Sequence, residues 1–427
     1  MVERYYLPMT IDQDSHPNIV MVTIDSLRAD HCGFMGYEKN TTPMLDRMAN
    51  EGMVFSNAYA PGSRTPHSLP SMFTGEYPDS VLGHVNGMDD TQEDISGHID
   101  RHVTIQDQLS DLGYETAGFT PNPWTSEYFG FGRGFDHYQD FMDEDRSEKI
   151  WERMIAGRGS KTIAGVRLLM SWLQRANTFK AWEHFYDNIT QWISEANEPY
   201  FVWVFLLDVH FPYLPDQKAT SQSRWRTYEA NLRLYLESQQ TPYSNRVHDQ
   251  LVTAYDDSIR YTDRFLERIA SDVQDAVIVT TADHGEAFGE HGTYGHHDQL
   301  YKQNVHVPLV IWGNGPGETV SAPFSLRLLP ELLNTIAIGG DVATVAKDTA
   351  GSIASGGDKL RISGKNWRFI QRSDGDDEVR LTTDDGARVD DLETINLCRR
   401  LLDGWMEHHS ECGRIKNAIY DIEHHEI

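Results

Sequence analysis

The sequence predicts an α/β protein, a layered sheet flanked by helices, followed by a small C-terminal α+β subdomain. Three observations predict it. Three short, apolar, β-branched runs have the composition of buried parallel strands. Helix-patterned stretches separate them. Past residue 339, turn clusters alternate with short runs in the manner of an antiparallel meander.

In order, the predicted strands are "NIVMVTI" (Asn18–Ile24), "YFVWVFLL" (residues 200–207) and "AVIVTTA" (residues 276–282). Helices are expected over residues 42–52, 103–112 and 252–270. Residues 143–198 form a Trp-rich, helix-patterned segment, read as an inserted cap whose tryptophans serve core packing. This completes a catalytic domain over 1–338. Residues 339–359 are small, Gly/Ser/Ala-rich and loop-like. The meander follows from residue 360, then an amphipathic helix over 392–408, so that 339–427 make a second, smaller unit.

The 427 residues include 37 basic and 65 acidic side chains, a formal charge of −28. This excludes nucleic acid or an anionic membrane surface as the main partner. Asp outnumbers Glu, 39 to 26, and Lys is scarce, 10 against 27 Arg. Such a Lys-poor acidic surface keeps a protein soluble where salt screens charge, so a salt-adapted source is expected. Cys32, Cys398 and Cys412 form no disulfide framework and no metal-finger spacing. No stretch has the roughly 18 apolar residues of a membrane span, and no secretory signal opens the chain. The expected location is cytoplasmic.

Each predicted strand ends in a polar cluster: Asp25-Ser26, Asp208-Val209-His210 and Asp283-His284-Gly285. In open α/β sheets the functional crevice lies beyond the carboxyl ends of the strands. One Asp at a strand end is ordinarily a helix cap; three such ends converging describe a site. Carboxylates with an imidazole suit a divalent cation, whether Mg²⁺, Mn²⁺, Ca²⁺ or Zn²⁺.

The stretch "APGSRTPHSLPSMFTGEYP" (residues 60–78) carries five hydroxyls and no cysteine. Thr65 precedes Pro66, which reads as the first residue of a helix with Thr65 as its N-cap. There its oxygen lies among unpaired N–H groups at the positive end of the helix dipole. Metal coordination would activate it further. "DVHFPY" adds His210, and "DHGEAFGEHGTYGHHDQLY" adds His284, His291, His296 and His297 as candidates for proton transfer or charge stabilisation. A surface loop is the competing expectation for His291 and His297.

Together these landmarks resemble the sulfatase family of the alkaline phosphatase superfamily from about residue 18 to 330. They are "VTIDSLRADHCGFMGYEKNTTPMLDRMANEGMVFSNAYA", "TPHSLPSMFTGEYP", "DVHFPY" and "TADHGEAFGEHGTYGHHDQLYKQNVHVPLVIWG". The resemblance implies a mixed α/β sheet with a small C-terminal subdomain, and metal-dependent hydrolysis of sulfate or phosphate esters. It places Asp25, Thr65, Asp283 and His284 on metal-ligand positions, Thr65 on the nucleophile position, and His210 and His296 beside the ester. Two departures stand out. Ser26 replaces a second Asp. At the C/S-x-P-x-R position the chain has Thr65, Pro66, His67, Ser68 and Leu69, so formylglycine is not expected. Ser68 sits three residues, about 4.5 Å of helical rise, too close to the Thr-Gly turn.

A threonine ester cannot collapse to an aldehyde and needs water for its release. The expected function is therefore hydrolysis of a phosphate mono- or diester, or a phosphonate ester, through Thr65. The alternatives are a sulfuric ester hydrolase acting on sulfated sugars or small molecules, and transfer of a phospho group to a sugar or lipid hydroxyl. The expected partner is a small anionic ester, with a sugar-linked one among the options.

Overall fold

The computed structural model describes residues 16–78, 88–141, 180–216, 218–236, 242–297, 299–315, 317–347, 349, 351–357, 359–372, 378–381 and 389–424. Most of the expected helical cap, residues 143–179 of 143–198, lies outside them. The part described is a short helical turn, Trp182–His184, and a helix, Tyr186–Glu195, that buries Tyr186 and Ile189.

A central sheet of eight strands organises the molecule. In chain order they are β1 (Asn18–Ile24), β2 (Met53–Phe55), β3 (Glu115–Phe119), β4 (His137–Gln139), β5 (Tyr200–Leu206), β6 (Ala276–Thr281), β7 (Leu309–Trp312) and β8 (Glu318–Val320). Their spatial order is β8-β2-β7-β6-β1-β5-β3-β4. Every pairing is parallel except those of β7, which runs antiparallel to both β2 and β6. The sheet is therefore mixed. All residues of β1, β5 and β6 are buried, as strands covered by helices on both faces must be.

The three apolar runs are neighbours. Thr23 lies opposite Phe205 on one side and Thr281 on the other, so β1, β5 and β6 end level with one another. The polar clusters after these strands therefore emerge together at one edge of the sheet.

Four helices matter for the site: α1 (Pro43–Glu51), α2 (Thr65–Thr74), α3 (Asn245–Asp272) and α4 (Leu392–His424). Asp263 of α3 accepts the backbone N–H groups of Met44 and Leu45, at 2.8 and 2.9 Å, and so caps α1 from a distant element. Burial pushes its carboxyl up to about 7. α3 begins seven residues before the expected helix, and α4 continues well past residue 408. The added turns of α3 bury Val247, Gln250 and Leu251.

The stretch 339–359 is more ordered than its composition suggested. It contains a helical turn, Val342–Ala346, and a strand, β9 (Ser352–Gly356). Small residues there mark a close strand, not a loop. β9 opens an antiparallel sheet with β10 (Lys359–Ser363), β11 (Trp367–Arg372) and β12 (Glu378–Leu381). Leu360 and Phe369 of this sheet pack with Cys398 and Leu402 of α4 and with Tyr77. Cys32 and Cys398 are buried free thiols. No helix among the described residues is long and apolar enough to cross a membrane.

Candidate active site

Asp25 directly follows β1, is fully buried, and ties its N–H to the Leu206 carbonyl of β5 at 2.9 Å. Asp283 and His284 follow β6 and are equally buried. A ligand-capable atom from each of the three lies within 4.8 Å of the others. His284 Nε2 is 3.7 Å from Asp25 Oδ1 and 3.6 Å from Asp283 Oδ2.

Ser26 takes a left-handed backbone conformation with φ of 61°, uncommon outside glycine. That turn lets its hydroxyl donate to Asp25 Oδ1 at 2.7 Å and its N–H to Asp283 Oδ1 at 3.3 Å. The Tyr255 hydroxyl donates to the Ser26 carbonyl at 2.7 Å. Asn122, just past β3, donates its amide to Asp25 Oδ2 at 3.1 Å.

Thr65 reaches this group from α2. Its Oγ1 donates to Asp283 Oδ2 at 2.8 Å and lies 3.5 Å from His284 Nε2. Arg64, extended, is the residue flanking the helix, and its carbonyl accepts the His67 and Ser68 N–H groups. Thr65 is therefore the first helical residue and not the N-cap, a correction of one position. Pro66 then falls second, where its missing N–H still costs no intrahelical bond. Three of the other hydroxyls turn away, Ser63 to the His297 carbonyl, Ser68 to Met72 Sδ and Thr74 to the Pro70 carbonyl, and the buried Ser71 hydroxyl has no partner among the described residues.

The donor set fits a divalent cation. Burial, and then the facing Asp283 carboxylate, push Asp25 well above the usual carboxylate range, so two buried carboxylates converge where positive charge is wanted. His284 Nδ1 faces the Gly285 carbonyl at 2.9 Å. A carbonyl only accepts, so Nδ1 donates there and Nε2 is the nitrogen turned toward the carboxylates, the one a metal would take.

The remaining imidazoles stand alongside. The His296 ring packs on His284 with centroids 4.5 Å apart, and His210 on His296 at 5.1 Å. Burial lowers both, and His296 is lowered further by its neighbouring imidazoles, His284 first. His291 and His297 are exposed; His291 stacks on Tyr301.

Two residues escaped the sequence reading. Glu286 is fully buried and faces His296 Nδ1 at 3.0 Å. An acidic residue between Gly285 and the apolar pair Ala287-Phe288, itself a short buried strand, was its signal. Asn122 sits in "TPNPW" after β3, a fourth strand end whose five mixed residues did not stand out.

The small sheet touches both active loops. Ser355 of β9 donates its N–H to the Pro61 carbonyl at 2.8 Å, and Arg361 of β10 donates to the Leu300 carbonyl at 2.8 Å.

A family model described as Sulfatase matches residues 17–335. An N-acetylglucosamine-6-O-sulfatase of Bacteroides thetaiotaomicron is 28% identical over 150 residues, 33% of this chain and 24% of that one. An ulvan-active sulfatase of Formosa agariphila is 23% identical over 358 residues, 75% of this chain and 62% of that one. The chain thus spans less than two thirds of these two relatives. A Kdo(2)-lipid A phosphoethanolamine 7''-transferase of Salmonella typhimurium is 21% identical, with 69% of this chain and 44% of that one covered. Among solved structures, a putative sulfatase of Bacteroides thetaiotaomicron superposes with a TM-score of 0.65 at 16% identity, covering 93% of this chain and 94% of its own. A phosphonate monoester hydrolase of Agrobacterium radiobacter gives 0.63 at 15%, covering 92% and 96%. The mixed sheet, the small strand-rich unit and the match over most of the chain agree: this protein belongs to the Sulfatase family, whose members are hydrolytic enzymes that use a divalent metal.

Proposed function

We infer that the site hydrolyses an ester of a tetrahedral oxyanion, with Thr65 as nucleophile and a phosphate or phosphonate ester as substrate. The observation that carries this reading is the Thr65 hydroxyl bonded to Asp283 Oδ2 at 2.8 Å, beside His284 and Asp25. The Thr65 proton points at an acceptor in the ground state, so its loss starts along an existing hydrogen bond.

Asp25, Asp283, His284 and the Thr65 oxygen would hold the cation, which supplies charge neutralisation for the non-bridging oxygens of the substrate. His210 and His296 offer ring nitrogens to the leaving group and to water. Oxidising a threonine side chain gives a ketone and not an aldehyde. The aldehyde-hydrate exit is therefore closed at position 65, and water must release the group that Thr65 takes up. Phosphoryl and phosphonyl esters suit that two-step route.

A second reading has its own support. The curated relatives matched first act, by their names, on sulfated sugars, and the comparisons back a sulfuric ester on a sugar more strongly than a phosphate. Transfer to an acceptor hydroxyl draws on the phosphoethanolamine transferase likeness. The 4-nitrophenyl esters of phosphate, phenylphosphonate and sulfate, assayed with Mn²⁺, Mg²⁺, Ca²⁺ or Zn²⁺, separate these readings. Our assignment expects the phosphorus esters to turn over faster and Thr65→Ala to abolish turnover. A preference for the sulfate ester would give the site to sulfuric esters, and turnover only with an added alcohol would give it to transfer.

A further inference from the structure

His284, 3.5 Å from Thr65 Oγ1, is followed by His296 and His210 in a row of packed imidazoles, and the partner of each Nδ1 sorts them. His284 and His210 hold Nδ1 against the carbonyls of Gly285 and Phe211, at 2.9 and 2.5 Å. His296 pairs Nδ1 with a carboxylate, Glu286, at 3.2 and 3.0 Å from its two oxygens, and the charge of that carboxylate also acts on His210 and His284. Glu286 is fully buried, and the Tyr213 hydroxyl lies close enough to act on its charge, without a well-aligned hydrogen bond. A buried carboxylate costs stability unless its contacts repay it. Here its contact is an imidazole 4.5 Å, ring to ring, from the His284 that touches the nucleophile.

A carboxylate behind an imidazole does two things. It holds the ring with the proton on Nδ1, leaving Nε2 bare, and it stabilises the imidazolium formed once Nε2 takes a proton. A backbone carbonyl does the first and, being uncharged, does less of the second. Nε2 of His296 has no hydrogen-bond partner among the described residues.

We propose that Glu286 is the positioning residue that makes His296 the general base for release of the group carried by Thr65. This rests on the Thr65 reading above. In that step a water oxygen bonds to phosphorus while the bond from phosphorus to Thr65 Oγ breaks. The water proton passes to His296 Nε2, Glu286 holds the resulting imidazolium, and the Thr65 oxygen then takes the proton back. Nothing is oxidised or reduced.

The test uses the full chain with Mn²⁺ and whichever 4-nitrophenyl ester the wild type turns over fastest. 4-Nitrophenolate leaves without protonation, so the first step is insulated from His296. Glu286→Met fills a similar volume without an acceptor, and Glu286→Gln keeps one acceptor oxygen. In Glu286→Met we expect a burst of about one equivalent of nitrophenol, then a steady state lowered about 10²-fold, with KM falling alongside kcat. Acid-quenched digests should carry the substrate's phosphoryl or phosphonyl group on the Thr65 peptide. Glu286→Gln should keep the Nδ1 tautomer and recover only part of the rate, and Glu286→Met should add nothing in a His296→Asn background. Loss of burst and steady state together in a folded variant, or additive effects of the two substitutions, would overturn the proposal.

A second readout needs no turnover. Nitrogen-15 spectra of the metal-free protein, assigned through His296→Asn, should show His296 protonated on Nδ1 in the wild type and a tautomer mixture in Glu286→Met. An unchanged ring overturns the positioning role. Turnover retained by Thr65→Ala would instead sink the nucleophile reading, while the tautomer spectra would report on Glu286 independently.

Discussion

Thr65 Oγ1 and Asp283 Oδ2 are hydrogen-bonded at 2.8 Å across 218 positions of sequence. The bond joins the first turn of α2 to the carboxyl edge of β6. The position of the Thr65 hydroxyl is thus set by the central sheet as much as by its own helix. Thr65→Ala is expected to lower kcat by about 10³-fold or more. Its melting temperature should move by no more than about 2–4 °C, since one surface of a capped helix loses one hydroxyl. Thr65→Ser keeps the oxygen and should retain most activity. Steady-state assays beside thermal melts check both.

Asp25 shows what the site lacks when it is stripped of cations. Its folded pKa is raised by burial and by Asp283, so the ionised form costs stability as pH rises above the normal carboxylate range. Asp25→Asn removes that cost. The expected outcome is a metal-free protein that melts higher than the metal-free wild type, with no turnover. Added Mn²⁺ should raise the melting temperature of the wild type and leave Asp25→Asn unmoved. Melting curves with and without a chelator decide it.

His306 provides the acid limit. It is buried, its Nε2 lies 3.0 Å from the Ser56 carbonyl, and its Nδ1 has no partner among the described residues. Burial first, then Lys302, lowers it from 6.5 to about 4. The fold therefore holds His306 neutral, and the unfolded chain binds the extra proton. Stability from this group is fully present above pH 6.5 and is lost as pH falls toward 4, by at most about 3 kcal/mol. Urea midpoints between pH 4 and 7 should show this slope, and His306→Gln should flatten it.

The formal charge of −28 makes self-repulsion a large term at low ionic strength. We propose that the protein is adapted to salt. Its melting temperature and specific activity should both rise from 0.1 M to about 2 M KCl, well beyond the range where simple screening saturates. A flat or falling response would remove that reading.

The central site was legible because apolar β-branched runs and the polar residues that end them are adjacent in sequence. Asn18–Ile24 is a strand over its full expected span, and Asp25 follows it. Asp25, Asp283 and His284 come together because parallel β1 and β6 end at one edge, and α2 begins there with Thr65. Glu286 was not legible as a buried residue, since a glutamate in a Gly-rich stretch looks solvated; only the turn that folds Ala287-Phe288 inward hides it. β3 and β4 escaped because short, mixed strands acquire their identity from neighbours, not from their own pattern. β9 escaped because small residues signal both loops and closely packed strands.

β1 carries one further consequence, in time. Both of its neighbours come late, β5 from residue 200 and β6 from residue 276. At about 5–20 residues per second of synthesis, "NIVMVTI" waits about 9–35 s after leaving the ribosome's catalytic centre before its first partner exists. Throughout that interval a seven-residue apolar strand has both edges open, the condition under which nascent chains adhere to one another. The strand that leads into Asp25 is thus also one that spends long without either neighbour.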